Sequence, residues 1–127
     1  MRRIGNQKID NKLFVIPVKA GAEIEAGKLV AIDANGYAVE AIKAAGLIVA
    51  GMCQEYVTNV GGTDGAVVVK VRRGAFVLGN NGDVAVTDLL KTAYITDSKT
   101  VTLVSEASSA VGKIIEVDSE TVTVDIQ

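Results

Sequence analysis

The apolar residues of this 127-residue chain come in short runs, such as Leu13–Ile16, Leu47–Cys53 and Val67–Val69, with turn clusters such as Asn35–Gly36, Gly61–Gly65, Asn80–Asp83 and Asp97–Lys99 spaced between such runs. Such runs are too brief for a stable helix but match the length of ordinary strands. Turn signals recurring about every ten residues predict an all-β domain, either a small barrel or a sandwich. Composition supports this. Apolar types make up 49% of the chain and aromatics only 4%, so the core must be built from Val, Ile, Leu and Ala. The stiff χ1 of Val and Ile suits a pleated surface. A chain this long buries roughly two thirds of its unfolded surface and folds without a metal or disulfide.

Read along its length, the chain divides into an extended N-terminal arm, residues 1–12, and a single β domain, residues 13–127. The arm is polar, with Arg2, Arg3, Lys8 and Lys12 and no apolar periodicity; it is either a binding arm or a tail without a role. Leu13–Ile16 ends at Pro17, which lacks a ladder donor, so it is a first or edge strand. Residues 21–33 alternate with nearly period two and predict a half-exposed strand. Asn35–Gly36 marks a hairpin, because both positions tolerate positive φ. Leu47–Cys53 reads as a buried strand continuing to about Val57. In residues 66–72, Lys70 and Arg72 share one face, and Gly74 marks a bend into a further strand. Residues 84–91 (VAVTDLLK) are ambiguous; one helical turn capped by Thr87 fits them. The clearest hairpin joins residues 113–117 to 121–126 through Asp118–Glu120, with Val122, Val124 and Ile126 on one face. The expected fold is therefore a barrel or sandwich of short antiparallel strands with at most one or two short helical turns.

Chemistry is sparse. The chain has no histidine and no tryptophan, which removes the commonest general base, metal ligand and nucleophile partner. With one cysteine there is neither an internal disulfide nor a thiolate zinc site. Cys53 sits among apolar neighbours and reads as a neutral packing thiol. Glu23 and Glu25 lie on one strand face, which suits a solvated surface better than paired-acid catalysis. No enzyme activity, cofactor or metal is expected. A net charge of −2, from 13 basic and 15 acidic residues, gives no electrostatic footprint for nucleic acid. No apolar run approaches the length of a membrane span, and the start of the chain lacks the apolar segment of a secretory signal. Arg72–Arg73 is the most basic internal spot, read either as a site for an acidic partner or as an exposed strand end. Residues 20–41 resemble the rhythm of biotinyl and lipoyl carrier domains. The hairpin tip Asp33–Gly36 has no lysine to carry a cofactor, so the rhythm marks a β scaffold alone.

The segment DLLKTAYITDSKTVTL…SSAVGKIIEVDSETVTVDI, residues 88–126, resembles the capsid decoration proteins of tailed phages and prophages, also described as head-stabilising or cement proteins. Lys91, Tyr94, Ile95, Asp97, Thr100, Val101, Gly112, Ile114, Val117, Asp118, Val122, Val124, Asp125 and Ile126 carry the likeness. Residues 16–39 are similar to the opening of such proteins, and residues 72–78 to their middle strand. The resemblance implies a structural virion protein that is made in the host cytoplasm and binds the outer capsid surface. It would stabilise the head by bridging subunits of the major capsid protein. It also implies self-association, with a trimer favoured, and no direct contact with nucleic acid or membrane. On this reading Ile4 and Ile9 anchor an added strand, while Arg2, Arg3, Lys8, Arg72 and Arg73 meet acidic groups of the partner. Another virion component (a head-fibre base, tail or capsid accessory protein) and a cellular β-module that binds peptides are the alternatives.

Overall fold

A computed structural model of the protein describes residues 12–127. Its strands, in chain order, are β1 (Leu13–Pro17), β2 (Glu23–Ile24), β3 (Leu29–Ile32), β4 (Ala38–Glu40), β5 (Ile48–Cys53) and β6 (Val57–Thr58). They continue as β7 (Val68–Arg72), β8 (Gly74–Asn80), β9 (Thr92–Asp97), β10 (Thr100–Thr102), β11 (Ala110–Val117) and β12 (Thr121–Ile126). One 3-10 turn, Val86–Asp88, interrupts them. The chain is all-β, as its short runs require.

Two β units result. The first is a five-stranded sheet in the order β1-β7-β5-β3-β4, with the short pair β2-β6 beside it. The second is a closed five-stranded barrel, β10-β8-β12-β11-β9. Closure removes free edges from the barrel. Its last seam is a parallel pairing of β10 with β8, Thr100 opposite Gly79, which the expectation of antiparallel strands did not include. Inside the barrel Ile95, Val101, Ile114, Val122, Val124 and Ile126 are fully buried; a barrel this narrow is filled by its own side chains.

At β3 and β5 the sheet is buried on both faces. Leu29, Ala31, Val49 and Met52 join the barrel core, whereas Val30, Ala50 and Cys53 join a second core with Ile16, Val18, Ile24, Val69 and Val71. Double burial explains the nearly unbroken apolar runs of β3 and β5. Residues 49 and 52 reach the same face although they lie three apart. A bulge between β3 and β5 pairs Val30 with Gly51 and Ala31 with Val49, leaving Ala50 as the extra residue. The single half-exposed strand expected over residues 21–33 is instead two strands. Gly27, at a φ of +80°, turns the chain between β2 and β3, and Leu29, Val30 and Ala31 are fully buried.

β1 lies at the sheet edge, with Val15 paired to Lys70 on β7. The amide of Val18 donates to Val67 and that of Arg73 to the Lys12 carbonyl. Because bonding alternates along an antiparallel pair, the main-chain groups of Leu13, Val15 and Pro17 face the open edge. Proline there removes one outward donor, a common means of blunting an edge. Past it, Val18 makes a parallel bridge to Ala38, so the sheet curls until its two margins meet at that point. At its β1-β7 margin the sheet face that elsewhere meets the barrel is exposed, with Val15 at 58% and Val68 at 52%.

The turn in residues 84–91 begins two residues earlier than a Thr87 cap would place it, with Ala85 at the cap position. The Asp88 carboxylate accepts the Ala85 amide at 2.8 Å and the Lys91 ammonium at 2.9 Å, so Asp88 rather than Thr87 organises the turn.

Candidate partner-binding surface

Of the residues proposed above to meet a partner, Arg2, Arg3, Ile4, Lys8 and Ile9 lie outside the described residues. Arg72 and Arg73 lie at the junction of the two β units, because β7 ends at Arg72 and β8 begins at Gly74. Arg72 is exposed on the same sheet face as Lys70. Arg73 is half-buried, and its guanidinium carbon stands 5.4 Å from the centre of the Phe14 ring, a cation–π distance. Its backbone amide donates to the Lys12 carbonyl at 2.7 Å. The N-terminal segment thus joins the domain directly beside the two arginines, a proximity the residue spacing did not announce.

A cleft of about 250 Å³ opens here, lined by Lys12, Phe14, Arg73, Ile126 and Gln127. The Arg73 Nε is buried without an acceptor, an uncompensated donor in a cationic setting. A second cleft, of about 330 Å³, is lined by Thr92, Val111, Gly112, Lys113, Asp125 and Gln127. It contains a single carboxylate, that of Asp125, which the Gln127 amide already contacts at 2.6 Å. Neither cleft gathers paired acids.

The other reactive types have local explanations. Among the described residues no group of three or more His, Cys, Asp or Glu is placed to hold a metal ion. Cys53 is buried and its thiol donates to the Glu55 carbonyl; burial pushes its pKa up, so it is a packing thiol. Glu23 and Glu25 are both exposed. Glu23 accepts the Tyr56 hydroxyl at 2.7 Å, which raises the tyrosine pKa. No helix of the described residues is long and apolar enough to cross a membrane.

The barrel carries the excess of acid. Residues 12–73 hold seven basic and six acidic side chains, and residues 74–127 hold eight acidic and three basic ones. Lys70 and Arg72 lie on one face of the β1-β7 pair, and Lys12 and Arg73 stand with Phe14 on the other. The mild overall charge conceals this polarity.

No family profile, no curated protein and no solved structure matches this chain.

Proposed function

We propose that this is a structural phage protein that binds the outside of a capsid and stabilises the head by bridging capsid subunits. The observation that carries the reading is the placing of Lys12 and Arg73 together on the lining of the Phe14 cleft, from which the chain continues into Arg2, Arg3 and Lys8. Guanidinium groups suit bidentate contact with carboxylates, so an acidic strip on the capsid surface is the complementary partner. Ile4 and Ile9 add apolar anchors if the arm pairs with a capsid-protein strand. Residues 88–126, which resemble decoration proteins, form the barrel from its 3-10 turn to its last strand.

The proposed role asks for rigid, multivalent contact rather than chemistry. Each subunit contributes a modest contact, and several held together around one axis, three by the resemblance, gain effective concentration. The work is performed on the virion exterior, with no reaction, cofactor or metal.

The test is co-sedimentation of purified protein with cognate capsid shells lacking it. Full-length protein is expected to bind, and a chain without residues 1–12 to bind at least about tenfold more weakly. Charge reversal by Arg73→Glu, at the cleft and away from the Val68 face, is expected to weaken binding and its salt dependence together. Unchanged binding by both variants refutes the assignment of this surface.

A further inference from the structure

We infer that the protein self-associates head to tail, with the outer barrel face of one copy seated on the exposed β1-β7 face of the next. This deepens the assembly reading above by naming the two faces. The first face is the sheet margin, where Val15 and Val68 stand 58% and 52% exposed. Val15 pairs with Lys70, and Pro17 with Val68, so the valines lie on neighbouring strands, diagonal to one another. Lys70 and Arg72 follow Val68 at period two and share its face. The result is an apolar strip with a basic rim.

The second face is the outside of β8-β12-β11. Its register runs Val77 opposite Thr123 and Thr123 opposite Glu116. Val77 is 64% exposed. Ile115 is the extra residue of a bulge between Ile114 and Glu116 and is 43% exposed. Asp125 and Lys113 form the next row, and the Asp118–Glu120 turn ends the hairpin. This strip is also apolar at its centre, but its rim carries more acid than base.

A third observation extends the second face. Leu90 has a φ of +69° and is 71% exposed. A branched apolar residue in the left-handed region is strained, at a position that gains nothing from burial within the subunit. The strain is held by its own amide, which donates to Ile114 at 2.7 Å, and by the Ile114 amide, which donates to Lys91 at 2.9 Å. The next residue on that strand is Ile115. Leu90 is therefore a preorganised apolar projection beside the barrel face, and preorganised anchors lose little entropy on binding.

Charge selects the occupant. A two-fold contact of the barrel face with itself brings acid against acid, and one of the sheet margin with itself brings base against base. Only unlike faces are complementary, and both are present on one chain. Unlike faces make a heterologous contact, which closes into a ring when its rotation permits.

The test uses the full chain alone, without capsids, so its failure is distinct from failure to bind a shell. In sedimentation velocity the wild type is expected to associate as concentration rises, and added salt to weaken the association. Val77→Asp and Val68→Asp are each expected to weaken it roughly tenfold or more. Mixed together they are expected to form a one-to-one pair, because each retains the face the other lacks. Val77→Thr and Val68→Thr, which keep β-branching, carry the same test if an aspartate variant loses its fold by circular dichroism. Leu90→Gly is expected to associate more weakly while melting at a higher temperature, since it removes both the projection and the strain. A wild type that stays monomeric at about 1 mM, single variants that assemble like the wild type, or mixed variants that fail to pair would each overturn the inference.

Discussion

The Arg73 guanidinium lies over the Phe14 ring, 5.4 Å from its centre, and so ties the linker between sheet and barrel to the first strand of the sheet. Phe14 packs against the second core, and Arg73 immediately precedes the barrel. Arg73→Ala removes both the cation–π contact and the packing of the aliphatic stem. A loss of about 1 kcal/mol in urea unfolding is expected, with Arg73→Lys in between. An unchanged midpoint for Arg73→Ala contradicts this role.

Gly51 is the second fixed point. Its φ is +150°, and a Cβ there would collide with the Arg72 carbonyl. The bulge that turns Val49 and Met52 toward the barrel depends on this close approach. Gly51→Ala is expected to destabilise the protein by about 2–4 kcal/mol, measured by denaturant unfolding. A loss within experimental error refutes the bulge.

Asn59 ties two loops together, the one after β1 and its own between β6 and β7. It is 3% exposed, and its side-chain amide donates to the carbonyls of Val18, Lys19 and Thr63 at 3.1, 3.2 and 2.8 Å. Asn59→Ala leaves these carbonyls without that donor. The expected loss is about 2 kcal/mol, and exchange of nearby backbone amides should quicken.

Acid stability follows from two turn carboxylates. The Ala85 amide and then the Lys91 ammonium lower the Asp88 pKa. The Glu120 and Thr121 amides, with the Thr121 hydroxyl, lower that of Asp118. Unfolded, both titrate near 3.9. A depressed folded value means that the stabilisation is complete above about pH 4 and is lost as pH falls through the lower folded values. Melting temperature should therefore drop below about pH 4, and less steeply in Asp118→Asn and Asp88→Asn. Equal slopes in wild type and variants contradict the assignment.

Legibility in the sequence depended on how many faces of a strand are buried. The β11-β12 hairpin was plain because Val122, Val124 and Ile126 are buried while Thr121, Thr123 and Asp125 are only partly so. In β5 five consecutive residues are buried, so period two is erased and the bulge at Ala50 leaves no trace. The split of residues 21–33 was missed because Glu25, Ala26 and Lys28 sustain the alternation through what is a turn at Gly27. Parallel closure between β8 and β10 joins segments about twenty residues apart, beyond any local pattern. Of the candidate surface, the basic dipeptide at Arg72–Arg73 was visible. Its contact with Phe14, its closeness to Lys12 and the exposure of Leu90 are tertiary facts.

The central claim is that this β body stabilises a capsid by binding across its subunits. Thermal disruption of cognate shells, followed while the protein is added, tests it most directly. A saturable rise in the disruption temperature, reaching its plateau at a fixed ratio of protein to capsid subunit, is the expected result. Shells that bind no protein at micromolar concentration and disrupt at the same temperature would contradict it.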